Sequence, residues 1–119
     1  MSLAACATYA AFHPATTKAP DDAFAKASRV LIERGDSIET KDEAAGILIT
    51  KWDESTVMGS QRRVRWKITV TGGELIVDSQ CQAKLTDAAP GQRNDWSNCG
   101  NQPSDRSAKA KEIADAIGR

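Results

Sequence analysis

Arg63-Val64-Arg65-Trp66-Lys67-Ile68-Thr69-Val70 is the stretch that decides the fold, because charged or polar residues alternate strictly with apolar ones along it. Alternation with a period of two predicts a β-strand that buries one of its faces. Gly72-Gly73 follows and can supply the positive φ angles of a two-residue hairpin turn. We therefore expect residues 74–85 to form the partner strand of a long antiparallel hairpin.

The two-residue turn also predicts the register of this hairpin. The apolar face would pair Val70 with Leu75, Ile68 with Val77, Trp66 with Ser79 and Val64 with Cys81. On the other face Lys67 would lie opposite Asp78. A slip of one residue would move every side chain to the wrong face, so the pairing of apolar with apolar positions supports this register.

Two helices and two shorter strands complete the predicted domain. Asp21 and Asp22 are candidate N-caps for a helix over 22–34, and Gly35 is suited to end it. Residues 37–41 and 47–52 have the composition of strands, and Ser104 would cap a helix over 105–117. The predicted fold class is α+β, with a four-stranded antiparallel meander sheet and two helices packed on one face, in the order α-β-β-β-β-α.

Length and charge limit what the chain can be. Of the 119 residues, 1–20 are rich in Ala, Thr and Pro and are predicted to be a tether, which leaves 21–119 as a single domain. Sixteen basic and sixteen acidic side chains cancel, which argues against the strongly positive field of a nucleic-acid-binding protein. No apolar run reaches the twenty or so residues of a transmembrane helix.

The three cysteines and one histidine do not have the spacing of a metal site, so no cofactor is expected. A disulfide between Cys81 and Cys99 is the simplest use of that pair, and it would stabilise the fold by about 3 kcal/mol in an oxidising compartment. The alternative is two reduced structural cysteines in a cytosolic protein. Cys6 is left over in either case.

Leu3-Ala4-Ala5-Cys6 resembles the lipobox of bacterial lipoproteins, in which the cysteine sulfur receives a diacylglycerol. Only two residues precede Leu3, so we expect a signal peptide to have been removed upstream of it. The resemblance implies lipidation of Cys6, and Ala7 directly after it would favour the outer membrane under the sorting rule of enteric bacteria. The alternative is chance, because the N-terminal segment is rich in alanine.

Two groups of residues are candidates for binding a partner. Arg63, Arg65 and Lys67 project from one strand face and suit an anionic partner, although a solvated face paired with Asp78 and Glu74 is the simpler interpretation. Val57 and Met58 lie in a predicted polar loop over 54–60 and suit a protein contact, unless the loop is an ordinary connection.

Trp52, Trp66 and Trp96 could form an aromatic recognition patch, but core packing is favoured for them. No catalytic residues are predicted, because adjacent acidic residues such as Asp42-Glu43 and Asp53-Glu54 point apart on a strand or turn.

The element order, the lipobox and the pattern over 42–50 together resemble small domains of bacterial envelope lipoproteins, including accessory lipoproteins of outer-membrane protein assembly and lipopolysaccharide export. The resemblance implies a non-enzymatic, periplasm-facing scaffold or binding module, anchored in the outer membrane through Cys6, with an envelope protein or a glycolipid as its partner. The alternative is a soluble exported inhibitor or small-ligand-binding protein.

Overall fold

A computed structural model describes residues 9–57, 59–85, 95–100, 102–103 and 105–119. Two helices lie within these residues, α1 at Ala23–Glu33 and α2 at Arg106–Gly118. The strands are β1 Tyr9–Ala10, β2 Ala15–Lys18, β3 Ile38–Asp42, β4 Ile47–Thr50, β5 Asp53–Val57, β6 Ser60–Thr71, β7 Glu74–Leu85, β8 Ser97–Asn98 and β9 Gln102–Pro103. The protein is therefore α+β, as its sequence predicts.

The hairpin of β6 and β7 has the predicted register. Thr71 lies opposite Glu74 across the turn, and the pairing continues without a slip to Ser60 and Leu85. Gly72 and Gly73 both have positive φ angles, 56° and 78°, as the two-residue turn requires. The two strands of twelve residues are the central pair of the sheet.

The predicted four-stranded sheet is wrong, because the antiparallel sheet around this hairpin has seven strands. Its order is β2-β7-β6-β4-β3, with β5 following β4 along β6 and β8 following β2 along β7. The predicted order α-β-β-β-β-α is wrong for the same reason, since β2 precedes α1 and β5 separates β4 from β6. A two-stranded sheet of β1 and β9 accompanies it.

The break between β4 and β5 contains a register shift. Ile49 pairs with Lys67, whereas Asp53 pairs with Val64. The three residues 50–52 therefore lie opposite only two residues of β6, 65 and 66. Such a β-bulge leaves an extra residue and redirects the side chains around it. At this break the Trp66 backbone N–H donates to Thr50 Oγ1 at 2.9 Å, so a side chain satisfies the buried backbone donor.

Both helices cover one face of the sheet and close the core. Leu31 of α1 and Ile113 of α2 are fully buried with Ile68 of β6, in one cluster that also holds Trp66. The remaining buried members are Ala23, Ala27, Leu48, Leu75, Val77, Ala110, Ala114 and Ile117. The opposite face of the hairpin carries Arg63, Arg65 and Lys67.

The structured part of the chain begins before the boundary predicted at residue 21. β2 lies at the sheet edge, where Ala15 pairs with Val77 and Lys18 with Glu74. β1 pairs with β9, near the start of α2. Part of the segment predicted as a tether therefore contributes strands, and residues 1–8 lie outside the described residues. Neither described helix is long and apolar enough to cross a membrane.

Candidate functional site

Near the middle of the hairpin, cations on β6 lie opposite amides on β7. These side chains face away from the helices. Arg63 lies opposite Gln82, and Arg65 lies opposite Gln80. Arg63 donates from both Nε, at 2.9 Å, and Nη2 to Gln82 Oε1, and Arg65 donates from Nε to Gln80 Oε1 at 2.6 Å. These cross-strand bonds fix the direction of both guanidinium groups.

Two tryptophans intercalate between these cations. The Arg65 guanidinium lies 4.1 Å from the centre of the Trp52 ring, and the Arg63 guanidinium lies 4.4 Å from the same ring. Arg63 also lies 4.2 Å from the Trp96 ring, which Lys84 Nζ approaches to 4.7 Å. We call this alternating series of Arg65, Trp52, Arg63, Trp96 and Lys84 the Trp–Arg ladder. Each contact is within the range of a cation–π interaction.

The bulge between β4 and β5 places Trp52 in the ladder. In β4, Leu48 and Thr50 face the core, and unbroken alternation would send residue 52 inward as well. The extra residue at 51–52 shifts the alternation, so that Trp52 reaches the outer face. The sequence-based preference for a core role of Trp52 is therefore wrong.

Trp96 is placed by the residues that follow it. Ser97 and Asn98 pair with Ala83 and Gln82 as β8, so the next position back along the strand lies beside Lys84. Trp96 is half-buried against cations and not part of the described core, contrary to its predicted role as a core anchor. Trp66 is 4% exposed, which confirms the core role predicted for it.

Cys99 ties this segment to the hairpin. Its Sγ lies 2.00 Å from Cys81 Sγ, so the predicted pair is at disulfide distance. The Cys99 backbone N–H also donates to the Cys81 carbonyl oxygen at 3.0 Å. Cys6, the predicted lipidation site, lies outside the described residues.

The ladder leaves positive charge on the surface. Arg63, Arg65 and Lys67 form no ion pair with any other described residue. Lys67 has Asp78 as its cross-strand partner, as predicted, but the Asp78 carboxylate accepts the Ser79 backbone N–H at 2.8 Å. Glu54 on β5 lies opposite Arg63, so two carboxylates neighbour this face, and neither is within ion-pair distance of its cross-strand cation.

The predicted polar loop over 54–60 is wrong, because Asp53–Val57 is a strand paired with the start of β6. Val57 lies opposite Ser60, at the end of a tight hairpin. Its side chain is not described, and Met58 lies outside the described residues. The contact role of this pair stays a prediction.

Other chemistry is sparse in the described part of the chain. It holds no group of three or more His, Cys, Asp or Glu side chains placed to share a metal ion. Clefts of roughly 300 to 480 Å³ are open to solvent, and most are lined by polar groups. In one of them burial raises the pKa of Asp36, with Asp53 adding to the shift and Arg34 and Arg106 opposing it.

Comparisons with known proteins give no independent guide to function. No family model matches the chain, and no curated protein matches it significantly. The candidate site therefore depends on its own geometry, in which three sequence-predicted cations lie on one face and two of them contact tryptophans that the sequence assigned to the core.

Proposed function

We propose that this chain is a non-enzymatic binding module of the bacterial envelope, anchored through a lipid on Cys6, with the Trp–Arg ladder as its recognition surface. The observation that carries this proposal is the fixed alternation of Arg65, Trp52, Arg63, Trp96 and Lys84 on a sheet face that no described helix covers. Ordered cations on an open face are suited to a large or flat anionic partner.

The rigidity of this surface supports a binding role. Each ladder arginine is fixed by a cross-strand glutamine and by at least one indole ring, so little side-chain entropy remains to be lost on binding. A surface made only for solubility would need no such ordering. The open clefts give no corresponding support to a soluble small-ligand binder, for which a closed apolar cavity would be expected.

The envelope address is supported by the cysteines. Cys81 and Cys99 lie at disulfide distance, and a disulfide persists in an oxidising compartment such as the periplasm. Cys6 is then the odd cysteine, within a sequence that resembles a lipobox, and Ala7 follows it. We place the protein in the periplasm on the outer membrane, with no catalytic role.

Lipid labelling tests the anchor. The chain should be expressed behind a lipoprotein signal peptide in bacteria that are fed radiolabelled palmitate, beside a Cys6→Ala variant as the matched control. We expect label in the wild type alone. An unlabelled wild-type protein, exported and stable, would contradict the lipoprotein proposal.

Photo-crosslinking in living cells tests the recognition surface. A photoactivatable residue in place of Lys67 lies beside the ladder, and the same residue in place of the exposed Arg29 lies on α1. We expect envelope adducts at position 67 and few at position 29. Equal adducts at both positions, or none at position 67, would count against a recognition role for the open face.

A further inference from the structure

We infer that the Trp–Arg ladder binds the phosphate groups of anionic phospholipids at the surface of the membrane that carries the chain. This inference rests on the proposed function and specifies the ligand of the same surface. It follows from which parts of the ladder are already occupied, which parts are free and where the proposed anchor would hold the domain.

Each ladder tryptophan already has two cations in contact with its ring. Trp52 has Arg63 and Arg65 at its ring, and Trp96 has Arg63 and Lys84. A sugar ring or an aromatic ligand would compete with these cations for the rings. Recognition therefore falls to the charged groups and not to the indoles.

The free part of each guanidinium is its outer fork. Gln80 occupies Nε of Arg65, and Gln82 occupies the Nε and Nη2 side of Arg63, so N–H groups at the end of both side chains have no partner among the described residues. Planar forks of this kind match phosphate oxygens, often with two parallel hydrogen bonds. The position of both forks is set before any ligand binds.

The arrangement of the charges suits several phosphates on a surface better than one small anion. Arg63 and Arg65 both contact the Trp52 ring, with Lys84 at one end of the ladder and Lys67 next along β6. This row runs across an open face, with no described closed cavity around it. A bilayer presents phosphates in that way.

The proposed anchor would hold the domain at such a surface. Tyr9, in β1, is three residues after Cys6, which is at most about 11 Å of extended chain. The structured domain would therefore lie close to the headgroups, where electrostatic attraction extends over about 8 Å at physiological salt. A diacylglycerol on Cys6 would supply the attachment itself, and attraction of this kind would add to it by drawing the basic face toward the headgroups.

Vesicle sedimentation with the unlipidated full chain tests the inference without the anchor. The vesicles are phosphatidylcholine alone or phosphatidylcholine with phosphatidylglycerol, at low and at physiological salt. Arg63→Gln/Arg65→Gln removes the two forks, and Arg65→Gln/Lys67→Gln removes two charges while leaving Arg63 between its two indoles. Arg29→Gln/Lys111→Gln is the matched control, with the same loss of charge at exposed helix positions.

We expect wild type and control to bind the phosphatidylglycerol vesicles alike, with weaker binding as salt rises and none to phosphatidylcholine alone. Both ladder variants should bind about tenfold more weakly or worse, since each basic residue near an anionic surface contributes several-fold. Far-UV circular dichroism checks the fold, and the second variant keeps the test valid if the first unfolds.

Three results would overturn the inference: equal binding by the ladder variants and the control, no binding of wild type to phosphatidylglycerol, or equal binding to both vesicle types. Binding of wild type to polyglutamate but not to vesicles would also overturn it, in favour of an acidic protein partner. These failures leave the proposed function standing if position 67 still gives adducts in cells, whereas loss of lipid labelling and adducts would remove the proposed function itself.

Discussion

Cys99 is joined to Cys81 twice, once through sulfur atoms at 2.00 Å and once through a backbone hydrogen bond of 3.0 Å from the Cys99 N–H to the Cys81 carbonyl. The backbone hydrogen bond continues the pairing of β8 with β7, so the disulfide lies at the end of this short pair of strands. Because Trp96 lies three residues before Cys99, this connection also holds Trp96 in its position between Arg63 and Lys84 in the Trp–Arg ladder.

Cys81→Ser/Cys99→Ser should lower the free energy of unfolding by about 2 to 4 kcal/mol, because the unfolded chain regains the freedom that an 18-residue loop closure removes. Urea denaturation measures this loss, and Cys6→Ser is the control with no expected effect. We also expect the combined emission of Trp52, Trp66 and Trp96 to shift toward that of a solvated indole. Unchanged stability would show that the pair is not bonded in the folded protein.

Arg63 and Trp96 should be energetically coupled. A double-mutant cycle with Arg63→Ala and Trp96→Leu, followed by denaturation, is expected to give about 0.5 to 1 kcal/mol, the usual size for a partly exposed cation–π pair. The same cycle with Lys67→Ala and Trp96→Leu should be additive, since these two residues are not in contact in the described structure. Equal coupling in both cycles would contradict the ladder geometry.

Gly46 is the glycine, among those that the structure describes, whose replacement should cost most. It has φ of 70°, and a Cβ at this position would collide with the carbonyl oxygen of Val70, whose N–H donates to the Gly46 carbonyl at 2.8 Å. We expect Gly46→Ala to destabilise by more than 2 kcal/mol, as measured by thermal unfolding. Gly73→Ala is the control, because Gly73 has a similar φ of 78° and open space at Cβ. Equal losses would mean that backbone strain alone is responsible.

Thr50→Val should cost about 1 to 3 kcal/mol although the side chain keeps its shape. Thr50 is 1% exposed, and its Oγ1 accepts the Trp66 N–H at the bulge, so valine leaves a buried backbone donor without a partner. Thr16→Val on the exposed edge strand β2 is the control, with a change within about 0.5 kcal/mol. Equal changes in chemical denaturation would disprove this role.

Asp36→Asn should alter the pH dependence of stability. Burial raises the pKa of Asp36 in the folded state, so the unfolded chain releases this proton first as pH rises, and stability is lost from about pH 4 upward. The asparagine variant has no such loss, and its stability relative to wild type should increase between pH 3.5 and pH 7. Glu39→Gln, at an exposed position on β3, serves as control. If the stability of Asp36→Asn relative to wild type fell over this range, the pKa of Asp36 would be lowered by folding and the prediction would be wrong.

The sequence predicts best the elements whose signal is local. The alternation over 63–70 and the Gly72-Gly73 turn determine the register of β6 and β7, and the helices over 23–33 and 106–118 lie within one residue of their predicted bounds. β2 and β5 were missed because Ala15–Lys18 and Asp53–Val57 have little apolar alternation and become strands by pairing with β7 and β6. Tertiary context outweighs propensity in such edge strands.

The candidate site shows the same limit. Arg63, Arg65 and Lys67 were assigned to one outer face because a strand alternates, and this follows from sequence alone. The positions of Trp52 and Trp96 do not follow from the sequence. Trp52 depends on a single extra residue between β4 and β5, and Trp96 depends on β8, a strand of two residues. A pattern of period two does not reveal where its own phase changes.

β1 has a mechanical consequence if Cys6 is anchored as proposed. Tension from the membrane would first reach the two-residue pairing of β1 with β9, then Phe12 on the core, and only afterwards the four pairs that hold β2 to β7. Release of β1 would lengthen the chain between Cys6 and the fold from about 10 Å to about 20 Å, up to Phe12, while the main sheet stayed intact. The N-terminal segment would then be an extensible tether with a short resting length and a limit set by Phe12.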